Sequence, residues 1–323
     1  MKKIVLIATF TAVSGIVTWS QQIGLNSQYL FNETVINPGA TGAKSYVPVQ
    51  LNFRKQWVQF PDSPTSQYLS AHGYVGKNFG IGGVLSNEVA GPSRHTGLTL
   101  NMAYQLRLSA DQNHKLGLGL GLSMSQHIID PTRLTTYLPD DPAVIRGFNN
   151  TFVPDANFGA FYFYKDKAFA GVSARNLVQM DRDLYNFENP LINLNVRNYY
   201  FIGGYKFKLS EKFDLKATTQ LQVIEAGTWS NDVTLLGIYD NRFWLGGSYR
   251  HNDAVVFMGG VQLGPFRVGY AYDYTLTDIA SYSTGSHEIF LELQLFPNKR
   301  SVGNGNNGNE PWIKRNRIYA PGI

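Results

Sequence analysis

The chain has 323 residues, no cysteine and a formal charge of +5 at neutral pH. It therefore holds no disulfide, no thiolate metal site and no cysteine nucleophile, and a charge this mild gives no basis for binding nucleic acid. With 32 Gly, 19 Tyr and 20 Phe but only 16% charged residues, it suits a sheet with aromatic interfaces better than a helical enzyme.

Residues 1–20 begin with Lys2 and Lys3, continue through the apolar run Ile4 to Phe10 and end in Thr18-Trp19-Ser20. This is the pattern of a secretory signal peptide, with cleavage expected after Ser20. Thr9, Thr11, Ser14 and Gly15 break the apolar run, whereas a helical anchor takes about 20 apolar residues. Losing Lys2 and Lys3 lowers the formal charge from +5 to +3. No later stretch is a candidate transmembrane helix, so a membrane location requires strands. Residues 21–48 form a polar segment with a turn at Asn37-Pro38-Gly39, expected to stand outside the sheet as a short periplasmic piece.

Residues 49–296 alternate with a period of two. Leu98, Leu100, Met102, Tyr104 and Leu106 share one parity, and Thr99, Asn101, Ala103, Gln105 and Arg107 share the other. Leu116 to Leu122 alternate with Gly117, Gly119, Gly121 and Ser123, and Phe266 to Tyr274 and Ile289 to Leu295 repeat the rhythm. Side chains in a strand alternate faces, and runs of about nine to eleven residues cross a bilayer when tilted. The pattern predicts about 14 strands, at 49–59, 67–75, 79–86, 96–108, 114–126, 156–164, 168–174, 198–208, 213–223, 232–239, 242–250, 254–263, 266–275 and 285–296. The predicted fold is all-β: a transmembrane antiparallel β-barrel.

The connections support closure. Every second one is brief: Gly76-Lys77-Asn78, Ser109 to Asn113, Lys165-Asp166-Lys167, Ser210-Glu211-Lys212, Asp240-Asn241 and Gly264-Pro265. Those between are mostly long, notably 127–155 and 175–197, with His251-Asn252-Asp253 out of step. Outer-membrane barrels have short periplasmic turns and longer outer loops; a soluble β-sandwich gives no reason for this rhythm. Residues 297–323 are a C-terminal tail, a Gly/Asn linker followed by Trp312, Lys314, Arg315, Arg317 and Tyr319, which reads as a flexible docking peptide or a plain disordered end.

Motifs for chemistry are weak. Gly117, Gly119 and Gly121 lie on one face of a strand with no helix following, unlike a phosphate loop. His287-Glu288 lacks the second histidine of a zinc-protease helix, and Asp181 with Asp183 is too small a ligand set for calcium. There is no G-x-S-x-G elbow. No catalytic residue, cofactor or metal is expected. Arg54, Arg250, Arg267, Asp273, Glu288 and Glu292 fall on the polar parity and predict a salt-bridged, hydrated lumen. Because the first and last strands must pair at closure, Arg54 is expected to neutralise Glu288 or Glu292.

Several short motifs in order carry a resemblance. Gln28-Tyr29 and Asn37-Pro38-Gly39-Ala40-Thr41-Gly42 resemble the QY and NPA-x-x-G opening of the PorP/SprF family, with Gly39 as an insertion. Arg54-Lys55-Gln56-Trp57 with Pro64-Thr65 resembles its R-x-Q-W and P-x-T stretch. Gly80-Ile81-Gly82-Gly83 with Asn87 and Gly91-Pro92 resembles its third strand and outer loop. Gly269-Tyr270-Ala271-Tyr272-Asp273 and Ser286-His287-Glu288-Ile289 resemble its GYSYD and SHEI strands. The resemblance implies a non-enzymatic outer-membrane barrel of the Bacteroidetes type IX secretion and gliding systems. The implied partners are outer-membrane lipid, a secreted surface protein with a type IX C-terminal domain, and periplasmic secretion-ring and peptidoglycan-associated proteins. The alternative on the same fold is a small-solute porin or hydrophobic-compound channel.

Overall fold

The computed structural model describes residues 26–111, 113–133, 151–178, 196–225 and 227–296. Its first seven strands are β1 (Val47–Lys55), β2 (Thr65–Gly76), β3 (Phe79–Ala90), β4 (Ser93–Arg107), β5 (His114–Ile129), β6 (Thr151–Tyr164) and β7 (Ala168–Arg175). The second seven are β8 (Asn198–Lys208), β9 (Phe213–Ile224), β10 (Trp229–Tyr239), β11 (Phe243–Arg250), β12 (Ala254–Leu263), β13 (Phe266–Thr275) and β14 (Ser286–Leu295). Each pairs antiparallel with its neighbour in sequence, and β1 pairs with β14, so the sheet is a closed barrel of 14 strands. Closure removes the unpaired edge that an open sheet would present to lipid.

The period-two pattern decides what each face meets. Leu98, Leu100, Met102, Leu118, Leu120 and Leu122 point outward and are exposed, while Asn101, Ala103, Gln105, Gly117, Gly119 and Gly121 point inward and are buried. A slip of one residue in register would turn the leucines into the lumen, so the apolar exterior fixes the pairing. Among the described residues no helix is long and apolar enough to cross a membrane.

The short connections 77–78, 165–167, 209–212, 240–242 and 264–265 all lie at one end, the periplasmic end by the rule of short inner turns. The predicted boundaries shift mainly at the other end. β1 stops at Lys55 rather than 59, because Trp57 and Gln59 take positive φ and Pro61 and Pro64 have no N–H to give a ladder. β3 and β4 run past the predicted 86 and 96 to a tight turn at Gly91-Pro92, a second short outer connection beside 251–253. Above the hydrocarbon the outward positions need not be apolar, so alternation fades while the hydrogen bonds continue. The predicted loop 127–155 is likewise trimmed by β5 and β6, loop 175–197 loses only Arg175 to β7, and their central parts, 134–150 and 179–195, lie outside the described residues.

The largest correction concerns the N-terminus. The described part of 21–48 is not a periplasmic appendage: residues 26–46 run through the lumen and join β1 at the periplasmic end. Tyr29, Leu30, Phe31, Val35, Ile36 and Ala40 share one apolar cluster with Leu236, Ile238, Trp244, Met258 and Phe290 of the wall. The Phe31 ring lies 5.2 Å from Trp244 and 5.3 Å from Phe290. Burying one such side chain is worth about 1.5–3 kcal/mol, so this plug is held by a core of its own. The segment reads as polar overall, but its Tyr29-Leu30-Phe31 run needs cover, which only the lumen offers.

Candidate functional site

The site is the interface between the plug and the barrel wall. Its first part is a shelf without side chains. Gly117 and Gly119 on β5 and Gly159 on β6 face inward, and the turn Asn37-Pro38-Gly39 lies on them. A Cβ at Gly119 would stand 2.3 Å from the Pro38 carbonyl carbon, one at Gly117 2.0 Å from the Gly39 oxygen, and one at Gly159 2.1 Å from Asn37 Oδ1. These are backbone or tightly held obstacles, so only glycine admits the plug. The inserted Gly39 obeys the same constraint, since its own Cβ would meet the Gly117 oxygen at 2.7 Å.

Asn37 locks this turn. Its Oδ1 accepts from Gly39 N at 2.8 Å, and its Nδ2 donates to the Ala160 and Val172 carbonyls at 3.1 and 3.0 Å. Gln105 donates to the Gly39 and Thr41 carbonyls, and Gly42 N donates to His72 Nδ1 at 3.0 Å. Asn37→Ala removes the amide that ties the turn to β6 and β7 and the acceptor that closes it on Gly39 N. It is expected to lower barrel stability by about 1–3 kcal/mol, read as a shifted urea midpoint in detergent micelles.

The second part is the charge network, placed in the outer half of the lumen. In the seam register Arg54 faces Glu288. Arg54 Nη1 lies 3.2 Å from Glu288 Oε2 and Nη2 lies 2.8 Å from Asp273 Oδ2. Arg250 reaches the same Asp273 oxygen at 3.0 Å and Asp232 at 2.9 Å. The plug completes this cluster. Ser27 Oγ accepts from Arg54 at 2.9 Å and Arg250 at 3.1 Å while donating to Asp273, using the one donor and two lone pairs of a hydroxyl. Ser27 N and Gln28 N donate to the two oxygens of Glu288 at 2.7 and 2.9 Å.

A second cluster lies toward the periplasmic end. Glu292 is 3.0 Å from Arg267 Nη1 and 3.8 Å from Lys44 Nζ, and it accepts from Gln50 at 2.6 Å and Gln294 at 2.8 Å. The Arg267 contact is an ion pair without an aligned hydrogen bond at Nη1, and its Nε donates to Gln262 at 2.9 Å. Lys44 also lies 3.3 Å from Glu33. Burial disfavours a charged Lys44 ammonium, and the Glu33 and Glu292 carboxylates beside it offset that cost.

The six predicted lumen residues thus divide. Arg54, Arg250, Asp273 and Glu288 meet in one cluster and Arg267 with Glu292 in the other, and Arg54 pairs with Glu288, not Glu292. All six are at most 2% exposed, so the network is enclosed by the plug and is not the hydrated channel lining expected from parity. The residues that sequence reasoning missed are Asp232, on an inward position of β10, and Ser27, Gln28, Glu33 and Lys44 on the plug. The docking residues Trp312, Lys314, Arg315, Arg317 and Tyr319, like Asp181 and Asp183, lie outside the described residues. Among the described residues no group of three or more His, Asp or Glu side chains is placed to hold a metal.

A family model described as type IX secretion system membrane protein PorP/SprF matches residues 19–293. No curated protein matches the chain. Similar solved structures include the outer membrane protein Omp33 of Acinetobacter baumannii, with 8% identity, 79% of this chain and 100% of that one covered, and a TM-score of 0.44. The toluene transporter TbuX of Ralstonia pickettii has 9% identity, coverages of 82% and 94%, and a TM-score of 0.47. A FadL homologue of Pseudomonas aeruginosa has 10% identity, coverages of 82% and 92%, and a TM-score of 0.42. A closed barrel with an apolar exterior is a structure that spans the outer membrane, and the family match agrees with that location. The chain belongs to the PorP/SprF family of type IX secretion system membrane proteins.

Proposed function

We propose that this protein is a sealed anchor of the type IX secretion system: it holds a secreted surface protein at the outer face, contacts the secretion ring in the periplasm, and catalyses nothing. The observation that carries this reading is the plug. A lumen filled by residues 26–46, bonded to both charge clusters and seated on a glycine shelf, is a rigid body rather than a conduit. The same filling argues against the small-solute porin or hydrophobic-compound channel, because a channel needs a continuous path past its wall. The outer loops 127–155 and 175–197 are the proposed cargo surface, and the tail is a proposed periplasmic contact.

Deleting 134–150 or 179–195 is expected to leave the barrel inserted and heat-modifiable on gels while the surface protein escapes into the medium, measured by its partition between cells and supernatant. Unchanged retention in both deletions would move the cargo surface elsewhere. In planar bilayers the intact protein is expected to show no steady ion conductance, and a steady conductance would favour the channel.

A further inference from the structure

The outside of the barrel is almost free of charge, and what charge it has is gathered in one place. Among the described residues, the outward positions of the 14 strands hold no Asp or Glu, and of Lys and Arg only Lys55 and Arg94. Both stand at the outer end of the first four strands, in one cross-strand row: Lys55 opposite Thr65 on β2, Thr65 opposite Val89 on β3, and Val89 opposite Arg94 on β4. The outward row beneath holds Gln67, Asn87 and Thr96. Elsewhere the outer ends carry Tyr199, Trp229, Tyr249, Tyr272 and Tyr274, the aromatic girdle usual where a barrel meets the headgroups.

The polar side chains of this patch are bonded to one another. Asn87 Oδ1 accepts from Arg94 Nε at 2.8 Å and from Thr96 Oγ1 at 3.3 Å, and Asn87 Nδ2 donates to Gln67 Oε1 at 3.3 Å. This fixes the Arg94 guanidinium on the outer wall and leaves its two Nη groups without a partner among the described residues. Lys55 Nζ donates to the Ser63 carbonyl at 2.8 Å and to Thr65 Oγ1 at 3.1 Å, which leaves one of its three donors. Two carboxylates flank the Gly91-Pro92 turn above, and both are engaged: Asp62 by Arg133, and Asp130 by the Thr132 amide and hydroxyl. Below the polar row, Leu51, Leu69, Leu85 and Leu98 face one another across the same four strands and are exposed.

We infer that this face of β1–β4 binds a phosphorylated glycolipid of the outer leaflet. Lys55 and Arg94 take phosphate oxygens, Arg94 with the planar fork that suits them. The row of Gln67, Asn87 and Thr96 meets sugar hydroxyls, and the leucines lie along the acyl chains. Three strand spacings separate the two cations, about 14 Å, a span suited to a phosphorylated disaccharide and too wide for the single phosphate of a phospholipid. A protein would have to lie in the headgroup layer against leucines that lipid already covers, so the position favours lipid. The site is on the outer wall and owes nothing to the plug, so its failure would leave the anchor reading standing.

The test is native mass spectrometry of the full mature protein, titrated in detergent micelles with bisphosphorylated lipid A. The parent is expected to bind it more tightly than phosphatidylglycerol, and binding is expected to fall about tenfold or more in Lys55→Gln/Arg94→Gln. Asn87→Ala leaves both charges in place but releases the Arg94 side chain, and is expected to weaken binding about threefold. Lys77→Gln, at an exposed periplasmic turn, is expected to bind like the parent. Heat-modifiability on gels checks that each variant is folded. Equal lipid A binding by the parent and the double variant, or phosphatidylglycerol bound as tightly as lipid A, would overturn the inference. So would displacement of lipid A by an oligoglutamate peptide, which would assign the face to an acidic protein.

Discussion

Arg54→Ala is expected to remove about 3–5 kcal/mol of stability, because it strands buried carboxylates rather than merely deleting a bond. Arg54 is 2% exposed and sits between Asp273 and Glu288, which are 1% and 0% exposed. Without it Glu288 keeps Asn52 and the two plug amides, but among the described residues no cation within ion-pair distance. Asp273 keeps Arg250, so Glu288 bears most of the loss. Equilibrium urea unfolding in detergent micelles measures this directly. The charge swap sharpens it: Arg54→Glu and Glu288→Arg should each be worse alone than together, since the swap restores one opposite-charge contact across the seam. A double variant no better tolerated than either single would show that the pair does not act as a unit.

Gly119→Val is expected to unseat the plug. The obstacle to its Cβ is the Pro38 carbonyl carbon at 2.3 Å, with Gly39 N at 2.4 Å, and neither can rotate away as a side chain would. Overpacking of this kind costs about 1–3 kcal/mol or more, and the cheapest relief is for the turn 37–39 to leave the shelf. The barrel ladder itself does not depend on that turn, so strands should survive while Asn37 loses its carbonyl partners on β6 and β7. Three changes are expected: a lower urea midpoint, cleavage within 26–46 by added protease, and ion conductance absent from the parent. A variant as stable, as resistant and as closed as the parent would contradict the packing account.

Much of the barrel was legible because a bilayer writes a strict pattern. Leu98 to Leu106 and Leu116 to Leu122 must face lipid, which makes both strand number and facing readable. The Arg54 and Glu288 contact was legible for the same reason, since closure brings the first strand to the last. The plug was not. Residues 26–46 have no period, and Ser27 finds Asp273 across 246 positions of sequence, a pairing that no local pattern encodes. The available signal was negative: inward Gly117, Gly119 and Gly159 leave space that something else must fill. A hydrated lumen, expected from the charges on the polar parity, and an N-terminal piece outside the barrel, expected from the polar character of 21–48, both leave those glycines without a role. The outer strand ends were missed because they rise above the hydrocarbon, where Asn87, Glu88 and His95 continue the ladder without an apolar face.

The central claim, a sealed anchor rather than a channel, is tested most directly by isolating the tagged protein from gently solubilised outer membranes and identifying what accompanies it. The account predicts a large secreted surface protein together with periplasmic ring components, on a barrel that conducts no ions. Recovery of a bare barrel, monomeric or trimeric, with steady conductance would contradict it.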